Sequence, residues 1–510
     1  MALIGTIVEL THLKVSLIYN DLKLMKQLIF ACLAFSIFSA NAQDFDYTPS
    51  KSNIPSKRKF EERMEENLLA DVTMLEGRVK NKKEVAEIFA GRAEFIHLMA
   101  IDEDEYIFNT PLNEYVQTIF DTILAANPQI NVERTELFIA RDIAPNASCF
   151  GEGTMVINAS LIRRLENESQ IAFVLAHELA HYTNDHVNTS IIDFVEKKND
   201  RNTQKEIKRI TKQKYNRNKA GLALLKSVMY NSSKHIRLHE SEADEKAVEL
   251  LLNTPYDVHE APKALALLDT IDEEKYSEEI VIHREFNRPL YPFKPEWTTE
   301  ENPLEAFFDK ESQLELLDIN ADSLKTHPDC IKRAENIAAK LADVSHTGKL
   351  NVQSDQAFMN AVQQADFDLV LSAYHYENYG YAIYQSLQLQ KKYPEHPFLV
   401  GIIGACMGEM VRAIDKHELG KVLSASSPEY DDNYNDLLKF LNNLSMKEMK
   451  EVGWNYVAIY QDKAAESEAL AYALAITAKM KKKEELKAKY KQLFFNKFPS
   501  SYFVKKARKV

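Results

Sequence analysis

Asn167-Glu168-Ser169-Gln170-Ile171-Ala172-Phe173-Val174-Leu175-Ala176-His177-Glu178-Leu179-Ala180-His181 is the stretch from which the rest of the sequence takes its meaning. Ile171, Val174, Leu175 and Leu179 recur at helical spacing and give one buried face. Asn167, with Gln170 three residues on, is a capping-box arrangement that starts the helix. Its second half, His177-Glu178-Leu179-Ala180-His181, is an H-E-x-x-H. Residues i and i+4 of a helix share a face, so both imidazoles can bind one Zn²⁺, and Glu178 lies where it can reach a metal-bound water. The alternative is a pair of buried, hydrogen-bonded structural histidines.

A zinc site of this kind needs a third protein ligand and a fourth position open to water. Roughly sixty residues downstream stands His239-Glu240-Ser241-Glu242-Ala243-Asp244. Glu240 and Asp244 are i and i+4 on one helix, whereas Glu242 points elsewhere. Glu240 can ligate the metal, and Asp244 can hold a ligand imidazole through its free ring N–H. His239 is the alternative ligand, and its use would turn Glu240 aside. Taken alone the acidic cluster reads as a solvated face; behind an H-E-x-x-H it reads as the completion of a site.

Outward from these helices the text is mostly helical. Residues 112–126 form an amphipathic helix through Leu112, Tyr115, Val116, Ile119, Phe120, Ile123 and Leu124. Leu137-Phe138-Ile139-Ala140 and Thr154-Met155-Val156-Ile157 read as short strands. Residues 197–219 hold ten Lys/Arg against two acids, either a solvated helical face or an anion- or membrane-surface patch. Residues 220–230 read as a buried or groove-lining helix, and residues 271–325 as an irregular insertion. Beyond residue 345 helix follows helix. Residues 366–397 resemble one tetratricopeptide-type hairpin and 454–500 a second, with a plain helical bundle as the alternative because the repeat period is not clean.

The two ends of the reading are composition and compartment. In 510 residues there are 13 Gly and 16 Pro, about a third and three-fifths of ordinary usage, which argues against turn-rich all-β folds. The net charge of −13 argues against a general nucleic-acid binder. Met25-Lys26-Gln27, the apolar run Leu28–Phe38 and Ala40-Asn41-Ala42 have the order and length of a secretory signal peptide, which makes Met25 the expected start and residues 1–24 an upstream extension. Cys149, Cys330 and Cys406 would then remain, an odd and widely spaced set with no disulfide framework. No second hydrophobic run is expected to reach membrane-spanning length.

Three segments resemble the HtpX/BepA-type zinc metallopeptidases, H-E-x-x-H proteases with a glutamate third ligand that include the CAAX prenyl endopeptidases and the mitochondrial Oma-type protease. The first runs from Pro145-Asn146-Ala147-Ser148 through Thr154-Met155-Val156-Ile157 and His177-Glu178-Leu179-Ala180-His181 to His186. The second is Glu240-Ser241-Glu242-Ala243-Asp244, similar to the family's E-x-x-A-D. The third is Thr326-His327-Pro328 with Arg333. Cys149 and Glu152 depart from the small residues usual there, and no transmembrane helices accompany the motifs, so the soluble, exported branch with C-terminal helical repeats is the nearer resemblance.

The resemblance implies a mainly α fold with a small β-sheet: an α+β zincin-like domain over 96–345, preceded by the extension and signal at 1–42 and a charged helical segment at 43–95, a mobile arm or edge helix. An α-helical tetratricopeptide-like domain over 346–510 follows. It implies one Zn²⁺ per chain on His177, His181 and Glu240, with Glu178 as general base. Asp244, His186, His327 and Arg333 take supporting or regulatory places, His327 as an occupant of the open metal position and His186 with a surface or capping histidine as its alternative. The segment Glu152, Gly153, Thr154, Met155, Val156 and Ile157 would add the substrate as an extra strand. The expected activity is endoproteolysis of exported proteins in envelope quality control or assembly, in the periplasm or secreted. Its partners are protein or peptide substrates and an envelope assembly complex met through the C-terminal helices, with peripheral membrane contact open and no nucleic acid. A non-catalytic helical scaffold or chaperone with a latent or structural zinc site is the alternative.

Overall fold

The computed structural model describes residues 45, 47–49, 54–76, 79–102, 104–130, 134–202, 204–205, 208, 237–271, 279–299, 329–428 and 430–510. The expected extension and signal at 1–42, residues 209–219 of the basic run, the stretch 220–230 and His327 lie outside them.

Four short strands make one mixed sheet in the order β1-β2-β4-β3: β1 Tyr106–Ile107, β2 Glu136–Ala140, β3 Ala147–Cys149 and β4 Thr154–Asn158. β2 and β4, the two strands expected from sequence, run parallel, while β1 and β3 flank them antiparallel. Every residue of β4 is buried, as a strand covered on both faces must be. This corrects one expectation. The segment Glu152–Ile157 cannot take a substrate strand, because β4 is already paired on both sides. Among the described residues the sheet ends in β1 on one side and β3 on the other, and β3 is the edge beside the helix that carries the H-E-x-x-H. Asn158 N–H donates to the Asn146 carbonyl and Phe150 N–H to the Thr154 carbonyl, each at 2.9 Å. Antiparallel pairing alternates, so the intervening Ala147 and Cys149 turn their backbone groups away from β4, toward that edge. The β3–β4 connection needs Gly153: its φ is +119°, and a Cβ there would run into the Arg134 carbonyl.

Period-two alternation sends β-sheet side chains to two different cores. Phe138 and Val156 face a small cluster with Phe60, Met64 and Ile96, contributed by α1 (Ile54–Met74) and α2 (Lys82–His97). The charged N-terminal segment is therefore neither arm nor edge helix but the cover of one sheet face. Leu137, Ile139, Met155 and Ile157 face the larger core. That core is built from α3 (Pro111–Ala126), the short α4 (Ala159–Ile162), α5 (Glu168–Thr183), a helix α7 over residues 237–251, α8 (Ala261–Asp269) and α9 (Cys330–Leu341). Between α5 and α7 lies α6 (His186–Asn199).

Helix α10 (Asp355–His375) joins this core to the next: Ala361 and Ala365 pack inward on the side of the sheet, Phe367, Val370, Leu371 and Tyr374 on the other. It opens a run of helices, α11 (Tyr379–Lys392), α12 (Pro397–Asp415), α13 (Asp432–Asn443), α14 (Met446–Val457), α15 (Glu468–Met480) and α16 (Glu484–Lys497). The first hairpin thus starts at 355, ahead of the expected 366. Helix α12 corrects a second expectation. At 19 residues and a mean hydropathy of 1.5 it is long and apolar enough to cross a membrane, but 83% of that stretch is buried within the helical region. Gly401, Gly404 and Gly408 let it approach closely, since Cβ atoms there would collide with Leu470, Val457 and Ile476.

Two segments cross between sequence regions. Tyr47, near the first described residue, is buried against Phe367 and Phe398, and its hydroxyl donates to the buried Asp368 carboxylate at 2.5 Å. Ile280, Ile282, Phe286 and Trp297, from the stretch expected to be an irregular insertion, pack on the C-terminal core. Glu448 fastens this second segment, accepting from Lys294 Nζ at 2.5 Å and Trp297 Nε1 at 3.0 Å while capping α14 through Ser445. Burial pushes the Glu448 carboxyl up, but the Lys294, Ser445 and Trp297 donors outweigh it and hold it at about 2. A folded-state value below the ordinary 4.5 adds stability that is complete above the ordinary value and is lost as pH falls toward 2. Glu448→Gln is expected to cost about 1–2 kcal/mol at pH 7 and to flatten the acid limb, as read by urea unfolding at pH 7 and pH 3.

Candidate metal centre

Helix α5 is buried on all sides: every residue from Glu168 to Ala180 is shielded. Such a helix has no water to satisfy its first N–H groups, so protein must do it. Asn351 Oδ1 accepts from Glu168 N–H at 2.8 Å, the Leu350 carbonyl from Ser169 N–H at 2.9 Å, and Asn167 Oδ1 from Gln170 N–H at 3.0 Å. The expected capping box is half realised. Gln170 Oε1 reaches back to Glu166 N–H, one residue beyond the cap, while Gln170 Nε2 and Asn167 Nδ2 both donate to the buried Glu260. The first turn is thereby fixed, and the motif three turns later inherits its position.

Helix α7 lies across α5 and brings Glu240 to the two histidines. His177 Nε2 and His181 Nε2 are 3.1 Å apart, His181 Nε2 and Glu240 Oε1 3.3 Å, and His177 Nε2 and Glu240 Oε2 3.6 Å. Zinc bonds of about 2.0–2.1 Å at a tetrahedral angle require donors about 3.3 Å apart, and the three spacings bracket that value. Glu240, rather than His239, completes the group of residues able to hold one ion. The donor set of two imidazoles and one carboxylate is that of a three-ligand zinc site with one position left for water.

The surroundings favour positive charge at this point. Asp244 Oδ1 is 3.0 Å from His177 Nδ1. Arg333, 4% exposed, binds Asp244 with Nε and Nη2 at 2.7 Å each and Glu240 with Nη1 at 2.7 Å. Burial pushes the His177 imidazole down, but its hydrogen bonds to Asp244 and Glu240 prevail and raise it to about 10. Asp244 is pushed up by burial yet held below its ordinary value by Arg333 and His177. Without metal the acidic pair keeps a proton on His177, in the place a cation would occupy.

His186 sits behind His181, Nδ1 to Nδ1 at 3.1 Å, and its Nε2 is 3.2 Å from Glu242 Oε2. Its ring stacks on that of His239 at 4.3 Å and 5°. Burial, with the neighbouring His181 and His239, pushes His186 down to about 4, so it is neutral at ordinary pH. A neutral His186 that donates to Glu242 accepts from His181 Nδ1–H, and this tautomer aims His181 Nε2 at the ligand group. Glu242 is the residue the sequence reading set aside. Its signal was there, since His239 and Glu242 are i and i+3 on α7 and share the face that meets His186.

Glu178 is buried beside the ligands, and its charge acts on Cys149 of the edge strand β3. Burial first, then Glu178, pushes the Cys149 thiol up, so it stays protonated and is no rival ligand. Of the expected residues, His177, Glu178, His181, His186, Glu240, Asp244 and Arg333 come together. Thr154–Ile157 lie in the interior strand, and Glu152 is buried in the turn before it, 4.0 Å from Arg92 Nε.

Residues 111–341 match the model of peptidase family M48. The beta-barrel assembly-enhancing protease of Yersinia pestis is 32% identical over 83 residues, 16% of each chain. The putative beta-barrel assembly-enhancing protease of Vibrio cholerae is 29% identical over 96 residues, 19% of this chain and 20% of the relative. The chain therefore aligns with a fifth or less of the length of these curated relatives.

Removing the carboxylate behind His177 tests the arrangement. Asp244→Asn is expected to weaken zinc binding by about 10–100-fold, measured by competition with a chromogenic chelator, and His177→Ala to abolish it.

Proposed function

Because residues 111–341 are a peptidase family M48 domain, we propose that this chain is a zinc-dependent endopeptidase acting on exported proteins in envelope assembly or quality control. The observation that carries the reading is the trio His177, His181 and Glu240 at zinc-ligand spacing with Glu178 next to it. Bound zinc supplies Lewis acidity, which lowers the pKa of a coordinated water and polarises a carbonyl. Glu178 accepts the proton of the attacking water and returns it to the leaving amine. Asp244 and His186 keep the two imidazoles in the tautomers that ligation requires, and Arg333 holds Glu240 in register.

The substrate main chain pairs with the free edge of β3, where the backbone groups of Ala147 and Cys149 face outward. Backbone pairing gives affinity with little demand on sequence, which suits an enzyme with many clients. Glu178 and Cys149 interact, so a peptide on this edge passes close to the general base. The names of the two bacterial relatives, assembly-enhancing proteases, together with the signal-like segment at 25–42, support the envelope setting. The C-terminal helices are the surface offered to clients or to an assembly complex.

The test combines metal analysis with cleavage of casein and of fluorogenic peptides. The wild-type chain is expected to bind one zinc and cut; Glu178→Gln is expected to bind zinc and lose about 10²–10⁴-fold in kcat. Zinc bound with no cleavage by the wild-type chain would support the scaffold reading instead.

A further inference from the structure

We infer that residues 54–97, which precede the matched segment 111–341, form one wall of the substrate cleft, and that the pocket they complete beside the metal group selects a bulky apolar side chain of the peptide. The inference rests on the proteolytic reading and adds to it a specificity site.

The pocket has a volume of about 440 Å³ and adjoins the ligand group through His181 and Glu240. Its apolar lining is Ile88 from α2 with Val187, Ile191 and Phe194 from α6. Phe194 is 50% exposed, a large ring turned to solvent beside a metal centre. Among the described residues that line the pocket there is no Lys or Arg, and the one carboxylate, Glu240, is already engaged by Arg333. A basic side chain would lose its hydration here and meet no free carboxylate, and for an acidic one the lining groups Ser190, His186 and His239 already contact one another or Glu242. A leucine, methionine or phenylalanine side chain would cover Phe194, Ile191 and Ile88 and shed water from both surfaces. The volume admits an aromatic ring.

The wall is held, not merely adjacent. Asp71 of α1, with no exposed side-chain surface, pairs with Arg92 Nη2 and Arg134 Nη2 at 2.5 Å each. Arg92 Nη1 donates to Asn188 Oδ1 at 2.7 Å, and Asn188 Nδ2 donates to the Gly151 carbonyl at 3.2 Å. One buried network thus ties α1 and α2 to the start of α6 and to the β3–β4 turn. Ile88 and Arg92 are i and i+4 on α2, so the face that carries the network also carries the pocket residue. Phe89 and Val195 bury the contact between α2 and α6.

The experiment is cleavage-site profiling of a mixed peptide library by the zinc-loaded full chain. The wild type is expected to favour Leu, Met or Phe over Asp, Glu or Lys at one position flanking the cut bond by at least about 10-fold. Phe194→Ala, a half-exposed position compatible with folding, is expected to erase most of that preference. Ile191→Lys is expected to turn the preference toward Asp and Glu. A wild-type profile with no apolar preference, or variants that keep the wild-type profile, overturns the inference. If the wild type cuts no peptide, the proteolytic reading fails, and the pocket is judged by fluorescence anisotropy of labelled peptides on Glu178→Gln. There a Leu-bearing peptide must bind at least about 10-fold more tightly than its Asp counterpart, and equal affinities overturn the inference.

Discussion

The guanidinium of Arg333 lies buried between two carboxylates, Asp244 and Glu240, and the centre depends on this arrangement. Isolated buried charge is costly, whereas charge that is paired and hydrogen-bonded is tolerated. With Glu178, Glu240 and Asp244 carrying one formal negative charge each and Arg333 one positive, the group has a formal balance of −2. A divalent cation closes that balance with both imidazoles neutral. In its absence the nearest substitute is a proton on His177, which is the direction in which that imidazole is shifted. Arg333 also fixes geometry, because its planar fork makes two hydrogen bonds to Asp244 and an ion pair with Glu240. Helix α9, which carries it, is thereby committed to the same position as α7.

A second constraint acts at the far end of α5. A helix buried on every side must find partners for its terminal N–H groups, and these come from Leu350 and Asn351 as well as from its own cap. The segment 349–353 also donates Gln353 N–H to the buried Glu168 carboxylate, and α10 begins directly after it. The helix that carries the H-E-x-x-H is thus anchored by chain that leads into the C-terminal helices. Tyr47 and the segment 280–297 run the other way, burying residues that precede α10 in the C-terminal core.

Much of the centre was legible because helical spacing is short-range and strict. His177 with His181, and Glu240 with Asp244, are i, i+4 pairs, and no tertiary knowledge is needed to see that each pair shares a face. The strands were legible only where five residues of apolar text marked an interior position. β1 and β3, with two and three residues, are too short to show a period, so the edge was assigned to β4, whose unbroken apolar run signals the opposite. The cover role of α1 and α2 was hidden by composition. Phe60, Met64 and Ile96 are few among many charges, and only the sheet face of Phe138 and Val156 gives them a destination. The pairing of Glu242 with His186 needs two helices brought together, as does the attachment of Trp297 to Glu448. These are matters of topology, on which a local pattern is silent.

The hydropathy of α12 makes the same point from the other side. Nineteen residues with Ile402, Ile403 and Met407 among them satisfy the length and polarity of a membrane span, because a protein core and a lipid core ask the same thing of a side chain. The difference lies in what surrounds the helix. Here Ala469 and Leu470 stand against Gly401, Val457 against Gly404 and Ile476 against Gly408, so most of the apolar surface is buried on neighbouring helices. The cleft follows the same logic. Its proposed floor is α5 and α7, its upper edge β3 and its side α2 with α6, held by the ion pairs of Arg333, by strand pairing and by a buried ionic network. The matched segment 111–341 supplies the floor and the edge. Since α2 precedes that segment and Arg92 reaches Asn188 inside it, the proposed peptide-binding unit is larger than the unit that carries the motif.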